Sequence, residues 1–370
     1  MKFNKKFWVT AFTLAGTTIG AGILALPYIF SQSGFFIGVF WLIVLGFILL
    51  LVNLYLGEIA LRTKTTHHLP GYAGKYLGKK GEVLMFITVA FGIYSALLAY
   101  LIGEGQSFSI LFFGNLDYSI HFAVGFWFIM TLLLSQGLKE LKKIELWGVL
   151  IIISIIFIIF FKFIPDVNVS NFVQYDLSNF FLPFGVIMFA LLGFTSIPEL
   201  RMEIRGQENL LKKAILVGAS IPVILYFIFT YVFVGVLGKT VEQVDTISFG
   251  NIIVILGIFT MLTSYFVLSF SLRDIFIFDF KKKRWVFYFV SLLPLFLYLA
   301  VSFFELADFV KILGIGGVIS GGLTGILILL TNIKAKIKGD RNPEFSIPIN
   351  WFIIGILSFI FLIGIWFELF

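Results

Sequence analysis

Residues 16–27 read GTTIGAGILALP, inside an apolar run from about residue 7 to about residue 30. Three glycines, two threonines and a proline weaken the helix that such a run would otherwise form. The surroundings of that helix are hydrocarbon. The chain has 370 residues, 60% apolar and 13% charged, where soluble domains carry about 25% charged residues. Its mean hydropathy is +1.05. Runs such as IELWGVLIIISIIFIIFF at 144–161 match the roughly 20 apolar residues that cross a bilayer as a helix. The class is an all-α integral membrane protein. Lipid offers no partner to a bare N–H or C=O, so unwound backbone survives at membrane depth only where protein buries it or a watery cavity lines it. The interruption therefore points to a polar cavity. Close helix packing is the competing reading, since Gly16 and Gly20 fit the GxxxG pattern.

Apolar runs separated by polar joints predict eleven spans, at about 7–30, 34–61, 82–111, 121–137, 144–164, 179–200, 209–237, 249–273, 285–303, 306–332 and 348–369. Alternate joints, namely the N-terminus and 62–81, 138–143, 201–213, 273–284 and 333–347, hold 24 of the 27 Lys and Arg. Positive charge stays on the cytoplasmic side. The expected topology is a multi-pass plasma-membrane protein with a cytoplasmic N-terminus and an extracytoplasmic C-terminus. MKFNKKFW at the start is read as the cytoplasmic end of the first span, not a signal peptide, because no polar domain follows it. There is no cysteine, so disulfide and thiol chemistry is excluded. The net charge of +7 is scattered over short loops and does not suggest nucleic acid.

A second interruption lies in span 6, FFLPFGVIMFALLGFTSIPELR, with Gly193, Phe194, Thr195, Ser196 and Pro198 in its second half. Spans 1 and 6 run in opposite directions. Paired interruptions in oppositely oriented halves are the sequence mark of a secondary transporter's binding site. Half-helix N-termini suit a carboxylate, and half-helix C-termini and bare carbonyls suit an ammonium group or a cation. The expected ligand is an amino acid or a similar small zwitterion.

AGTTIGAGILALPY (15–28) resembles the first span of the hydroxy and aromatic amino acid permeases, within the amino acid–polyamine–organocation superfamily. LPGYAGKYLGKKGE (69–82) and LTSYFVLSFSLRDIF (262–276) resemble amino acid/auxin permease segments at the same places. The resemblance implies a leucine-transporter-like fold in one domain over 1–370. Its five-plus-five inverted repeat would cover about 7–164 and 179–332, with helices 1 and 6 broken and an extra helix at 348–369. It implies substrate contacts at Thr17, Thr18, Gly20, Ala21 and Gly22 in span 1, at Phe189, Gly193, Phe194 and Thr195 in span 6, and more loosely at Tyr94 in span 3. It also implies a sodium site made by the carbonyls of Gly16 and Ile19 with the hydroxyls of Thr260, Thr263 and Ser264. Those three side chains share one helix face, and hard cations take oxygen ligands. Bonds from the hydroxyls to their own helix are the plainer alternative. Ile23 stands where a second sodium site of some relatives has Asn, and span 5 lacks the lysine of some proton-coupled relatives, offering only Ser154 at its middle.

Glu58 and Glu199, each near an Arg, suggest a gate at the cytoplasmic end, and Lys311 opens a glycine-rich span 10 expected to pack closely on span 1 or to flex as an outer gate. Glu104 is read as facing water near the outer end of span 3, with proton carriage as the alternative. No enzyme is expected. His67, His68 and His121 form no metal cluster, and no GxSxG elbow or phosphate loop is present. The function expected is ion-coupled uptake, with sodium or protons, of an aromatic or other neutral amino acid by alternating access. No other cofactor is implied. A channel or an uncoupled exchanger is the alternative, and a membrane-embedded enzyme is a more distant one. The only partners implied are the amino acid and the lipid bilayer, and nothing in the sequence speaks to oligomeric state.

Overall fold

The computed structural model describes residues 4–135, 141–241 and 251–370. The end of predicted span 4, the start of span 8 and part of the 138–143 joint lie outside the described residues. Asn4 caps the first helix, its side-chain oxygen accepting from the Phe7 N–H at 3.3 Å. That helix, α1 (Lys5–Thr18), stops where Ile19 turns to φ −81°, ψ 91°, and α2 (Gly22–Ser33) resumes at a bend of 56°. Pro27 sits inside α2 and is not the break. Gly34 alone makes the next turn at φ 109°, where a Cβ would come within 2.8 Å of Tyr175 Cα. The left-handed backbone and the crowding both require glycine there.

The long helix α3 (Phe35–Arg62) follows, and then a short helix, α4 (Leu69–Leu77), within the 62–81 joint. Next come α5 (Lys79–Phe113), α6 (Ser119–Ser135) and α7 (Leu141–Phe163). The second interrupted span consists of α8 (Leu182–Ala190), an irregular stretch with a 3₁₀ turn at Phe194–Ser196, and α9 (Ile197–Glu203), whose first turn accommodates Pro198. The remainder is α10 (Leu211–Leu237), α11 (Asn251–Asp274), α12 (Leu293–Phe304), α13 (Phe309–Gly316), α14 (Leu323–Lys338) and α15 (Trp351–Leu369). A π-helical turn at Gly317–Gly322 joins α13 to α14. The described residues are helical apart from connections and a single bridge between Gly34 and Tyr175.

Among the described residues, nine helical runs are long and apolar enough to cross a membrane, and the bent pair α1–α2 makes ten. α6 is apolar, and 17 residues of it are described. The architecture is that of an integral membrane protein. Five of the basic joints meet at one end of the bundle. Lys6 Nζ donates to the Arg205 carbonyl, Arg201 to the Thr65 carbonyl and the Lys64 N–H to Asp340, while His67 lies 3.9 Å from Asp279. At the opposite end, the segment before α8 folds over the bundle, and Trp41 donates to the Phe180 carbonyl at 2.7 Å.

The glycine run of span 10 departs from expectation. Its close approach is to α8 and α5: a Cβ on Gly317 would meet Phe189 N at 2.7 Å, and one on Gly316 would meet Ser95 Cβ at 2.6 Å. Glycine lets backbones meet here, with α8 as the neighbour rather than span 1.

Candidate functional site

The two interruptions face each other. A Cβ on Gly22 would stand 2.5 Å from Ala190 Cβ, and one on Gly193 would stand 2.7 Å from Thr18 Oγ1. The start of α2 therefore rests on the end of α8, and the start of the α8–α9 break rests on the end of α1. Between them lies a cavity of about 40 Å³, lined by Thr17, Thr18, Gly20 and Gly22 of the first span and Phe189, Ala190, Phe194 and Thr195 of the sixth. α5 closes it with Gly92, Ala96 and Tyr100, and Ser320 closes it from the π turn.

Seven of the ten expected substrate contacts line this space. Ala21 and Gly193 sit beside it, within the breaks. Tyr94 does not reach it, because its hydroxyl donates to the Phe289 carbonyl at 2.9 Å. Tyr100 takes that place: its hydroxyl lies against Ser264 and the backbone of Ala21. The signal was in the sequence. Gly92, Ala96 and Tyr100 recur every four residues, a small-residue face leading to a tyrosine.

The electrostatics follow from the helix ends. Ile19 and Gly20 leave the helix, and in the first turn of α2 the Ile23 N–H reaches the Gly20 carbonyl at 3.4 Å and the Leu24 N–H the Ala21 carbonyl at 3.1 Å, while the start of α2 carries the positive end of its dipole. The ends of α1 and α8 present carbonyls. One side chain, unmarked by any sequence motif, joins them: the hydroxyl of buried Tyr226, on α10, lies 2.9 Å from the Thr18 carbonyl and 2.9 Å from the Ala190 carbonyl. A hydroxyl has one proton, so it serves one carbonyl at a time. Thr17 and Thr18 turn their own hydroxyls back to the Thr13 and Leu14 carbonyls at 2.8 Å.

Of the expected cation ligands, the structure joins Ser264 to Ile19, with the hydroxyl donating to the carbonyl at 3.2 Å. Thr260 donates to Gly257, and Thr263 donates to Phe259 and Thr260, which is the own-helix pattern. Gly16 is buried in α1 one turn before the break. Glu58 is fully buried and accepts from Arg62, Lys336, Ser346 and the Ile347 N–H at 2.8–2.9 Å, which ties α3 to the end of α14. Glu199 is in the first turn of α9 at that same end, while Lys311 begins α13 at the other. Glu104 does not face water as expected, since its side chain is wholly buried. Among the described residues no group of three or more His, Asp or Glu is arranged to hold a metal ion.

A family model described as the tryptophan/tyrosine permease family matches residues 3–248. Glutamine transporter 2 of Aliivibrio fischeri is 25% identical over 290 residues, covering 73% of this chain and 75% of the relative. Tyrosine-specific transport system 2 of Haemophilus influenzae is 28% identical over 253 residues, covering 64% of this chain and 60% of the relative. The low affinity tryptophan permease of Escherichia coli O157:H7 is 25% identical over 268 residues, covering 68% and 63%. The chain thus spans less than two thirds of the length of the latter two relatives. These proteins are permeases, not enzymes. The family match contains both interruptions and the bridging Tyr226, and the chain belongs to the tryptophan/tyrosine permease family.

Proposed function

We propose that this chain is a secondary active transporter that takes up an aromatic or other neutral amino acid by alternating access, coupled to sodium or protons. The observation that carries the reading is the pair of facing interruptions. The start of α2, the positive end of its dipole, suits the carboxylate, and the Thr18 and Ala190 carbonyls suit the ammonium group that would replace the Tyr226 proton between them. The named substrates of the relatives, tyrosine, tryptophan and glutamine, agree with such a guest. A cavity of about 40 Å³ is far below the roughly 300 Å³ or more of a ligand site. Admitting an amino acid therefore requires α5 or the π turn to move away from the breaks, as alternating access demands.

The same reading includes eleven spans, with α6 as the fourth, arranged as a leucine-transporter-like inverted repeat over about 7–164 and 179–332 plus α15. The basic end is cytoplasmic and the protein sits in the plasma membrane. Ile19, Ser264, Thr260, Thr263 and Gly16 remain the candidate ligands if sodium is the coupling ion. The test is counterflow in proteoliposomes with labelled tyrosine, tryptophan and glutamine, without ATP. Exchange of at least one is expected. Steady ion current with no amino acid exchange would mean a channel and would sink the proposal.

A further inference from the structure

Glu104 has a side chain with no exposed surface, and neither carboxylate oxygen has a hydrogen-bond partner. One turn further along α5, the buried Ser107 hydroxyl is also unpartnered. One turn back, Tyr100 lines the central cavity. Positions 100, 104 and 107 share a helix face, and Glu104 stands about 6 Å along the axis from Tyr100. That face packs on the first span and α11. Tyr100 and Ser264 crowd Gly20, and Ser107 Oγ lies 3.7 Å from the position of a Cβ on Gly257, beside Leu24. Gly103 and Gly105, on either side, are seated against Met261 and against Ala123.

Among the described residues, the neighbouring elements bring no counter-charge to the carboxyl. His121 of α6 and Lys311 of α13 are exposed at the starts of their helices. On α11, Tyr265 packs on Phe126, and Arg273 and Asp274 lie at its far end. Tyr298 and Glu305, in and after α12, border the cavity of about 770 Å³ at the C-terminal end of α5. Lys75 of α4 and Lys334, Lys336 and Lys338 of α14 belong to the basic end, and on α2 Tyr28 is the titratable group. An isolated carboxylate charge in such a place is costly, and an ionisable side chain within a span marks a proton or ion path. Ile102 and Gln106, two positions either side of Glu104 and so on the opposite face of α5, line the 770 Å³ cavity, whereas the face of Glu104 leads through Tyr100 to the central cavity.

We propose that Glu104 is the proton-binding group of the transport cycle. The carboxylate takes one proton from water in the central cavity, one turn away past Tyr100, while that cavity is open to one side, and is carried as the neutral acid while α2 and α11 close over it. It returns the proton to water on the opposite side once the first span moves off α5, beside the amino acid released there. The inference rests on the transport reading and selects protons over sodium as the coupling ion.

The experiment uses the full chain in proteoliposomes, with labelled tyrosine, tryptophan or glutamine and a pH-sensitive dye in the lumen. Wild type should accumulate substrate at least tenfold under an inward proton gradient and acidify the lumen when substrate is added. Glu104→Gln, which mimics the neutral acid, should lose at least tenfold of that accumulation and all acidification, while still exchanging labelled for unlabelled substrate. Glu104→Asp should keep coupling with a displaced pH profile. Accumulation by Glu104→Gln within twofold of wild type would overturn the proposal, as would wild-type accumulation driven by sodium alone. Should Glu104→Gln fail to fold, an unchanged pH profile in Glu104→Asp would overturn it equally. Absence of exchange in wild type would strike the transport reading instead.

Discussion

Tyr226 holds one proton between two carbonyls that belong to different broken helices. Tyr226→Phe strands both acceptors in the core, at about 1–3 kcal/mol. It should lower the melting temperature in detergent and slow amino acid exchange, and an unchanged melting curve would show that the bridge is dispensable. Gly20 lies under the Tyr100 hydroxyl, where a Cβ would stand 2.5 Å from the oxygen. Gly20→Leu should therefore abolish the thermal shift that tyrosine, tryptophan or glutamine produces, while the protein still elutes as one species on size exclusion. A shift as large as wild type's would move the site elsewhere. At this scale the sequence pointed to the glycines and threonines of the breaks, because helix-breaking residues announce themselves. It pointed to Tyr94 rather than Tyr100, because which face of an apolar helix meets the cavity depends on neighbours far away in the chain.

The helices that carry the breaks are held by elements the sequence underrated. Glu58 looked like half of a gate but is the centre of a fixed network with Arg62, Lys336, Ser346 and Ile347. Removing one member of a buried ion network costs about 3–5 kcal/mol. Glu58→Ala should thus sharply reduce thermal stability and yield, whereas a pure gating role would change transport rates with stability intact. Asp340 ties the 333–347 joint to Lys75 of α4 and to the Lys64 N–H ahead of that helix. Those donors hold its carboxyl below its ordinary range. A depressed acid contributes its tether above the unfolded-state value of about 3.9 and loses it as pH falls through the folded-state value. Pepsin cleavage at this joint should therefore accelerate only as pH drops below about 4, and Asp340→Asn should show the fast cleavage already at pH 4. Cleavage of wild type and variant at the same rate would separate the joint from this pair.

For the whole molecule, the basic joints gather at one end and the 164–181 segment covers the other. The chain contains no cysteine, so single introduced cysteines can be read without background. Asp340→Cys and Tyr175→Cys should label from opposite sides of the membrane in intact cells, with position 340 protected from an impermeant reagent until the cells are opened. Labelling of both from outside would break the topology. The sequence by itself determined the membrane class, nearly every span and both interruptions. These follow from hydropathy over windows of about 20 residues, from the asymmetry of Lys and Arg, and from residues that cannot sustain a helix. The α4 helix and the single-residue turn at Gly34 escaped that reading, being too short for a periodic signal. Only the tertiary structure decided that the breaks lie against each other, that Tyr226 bridges them, that span 10 packs on α8, and that Glu104 is sealed from water. Each depends on which face of a uniformly apolar helix its neighbours cover. In a chain with 48 phenylalanines hydropathy is much the same all round a helix, so the choice of face is left to packing.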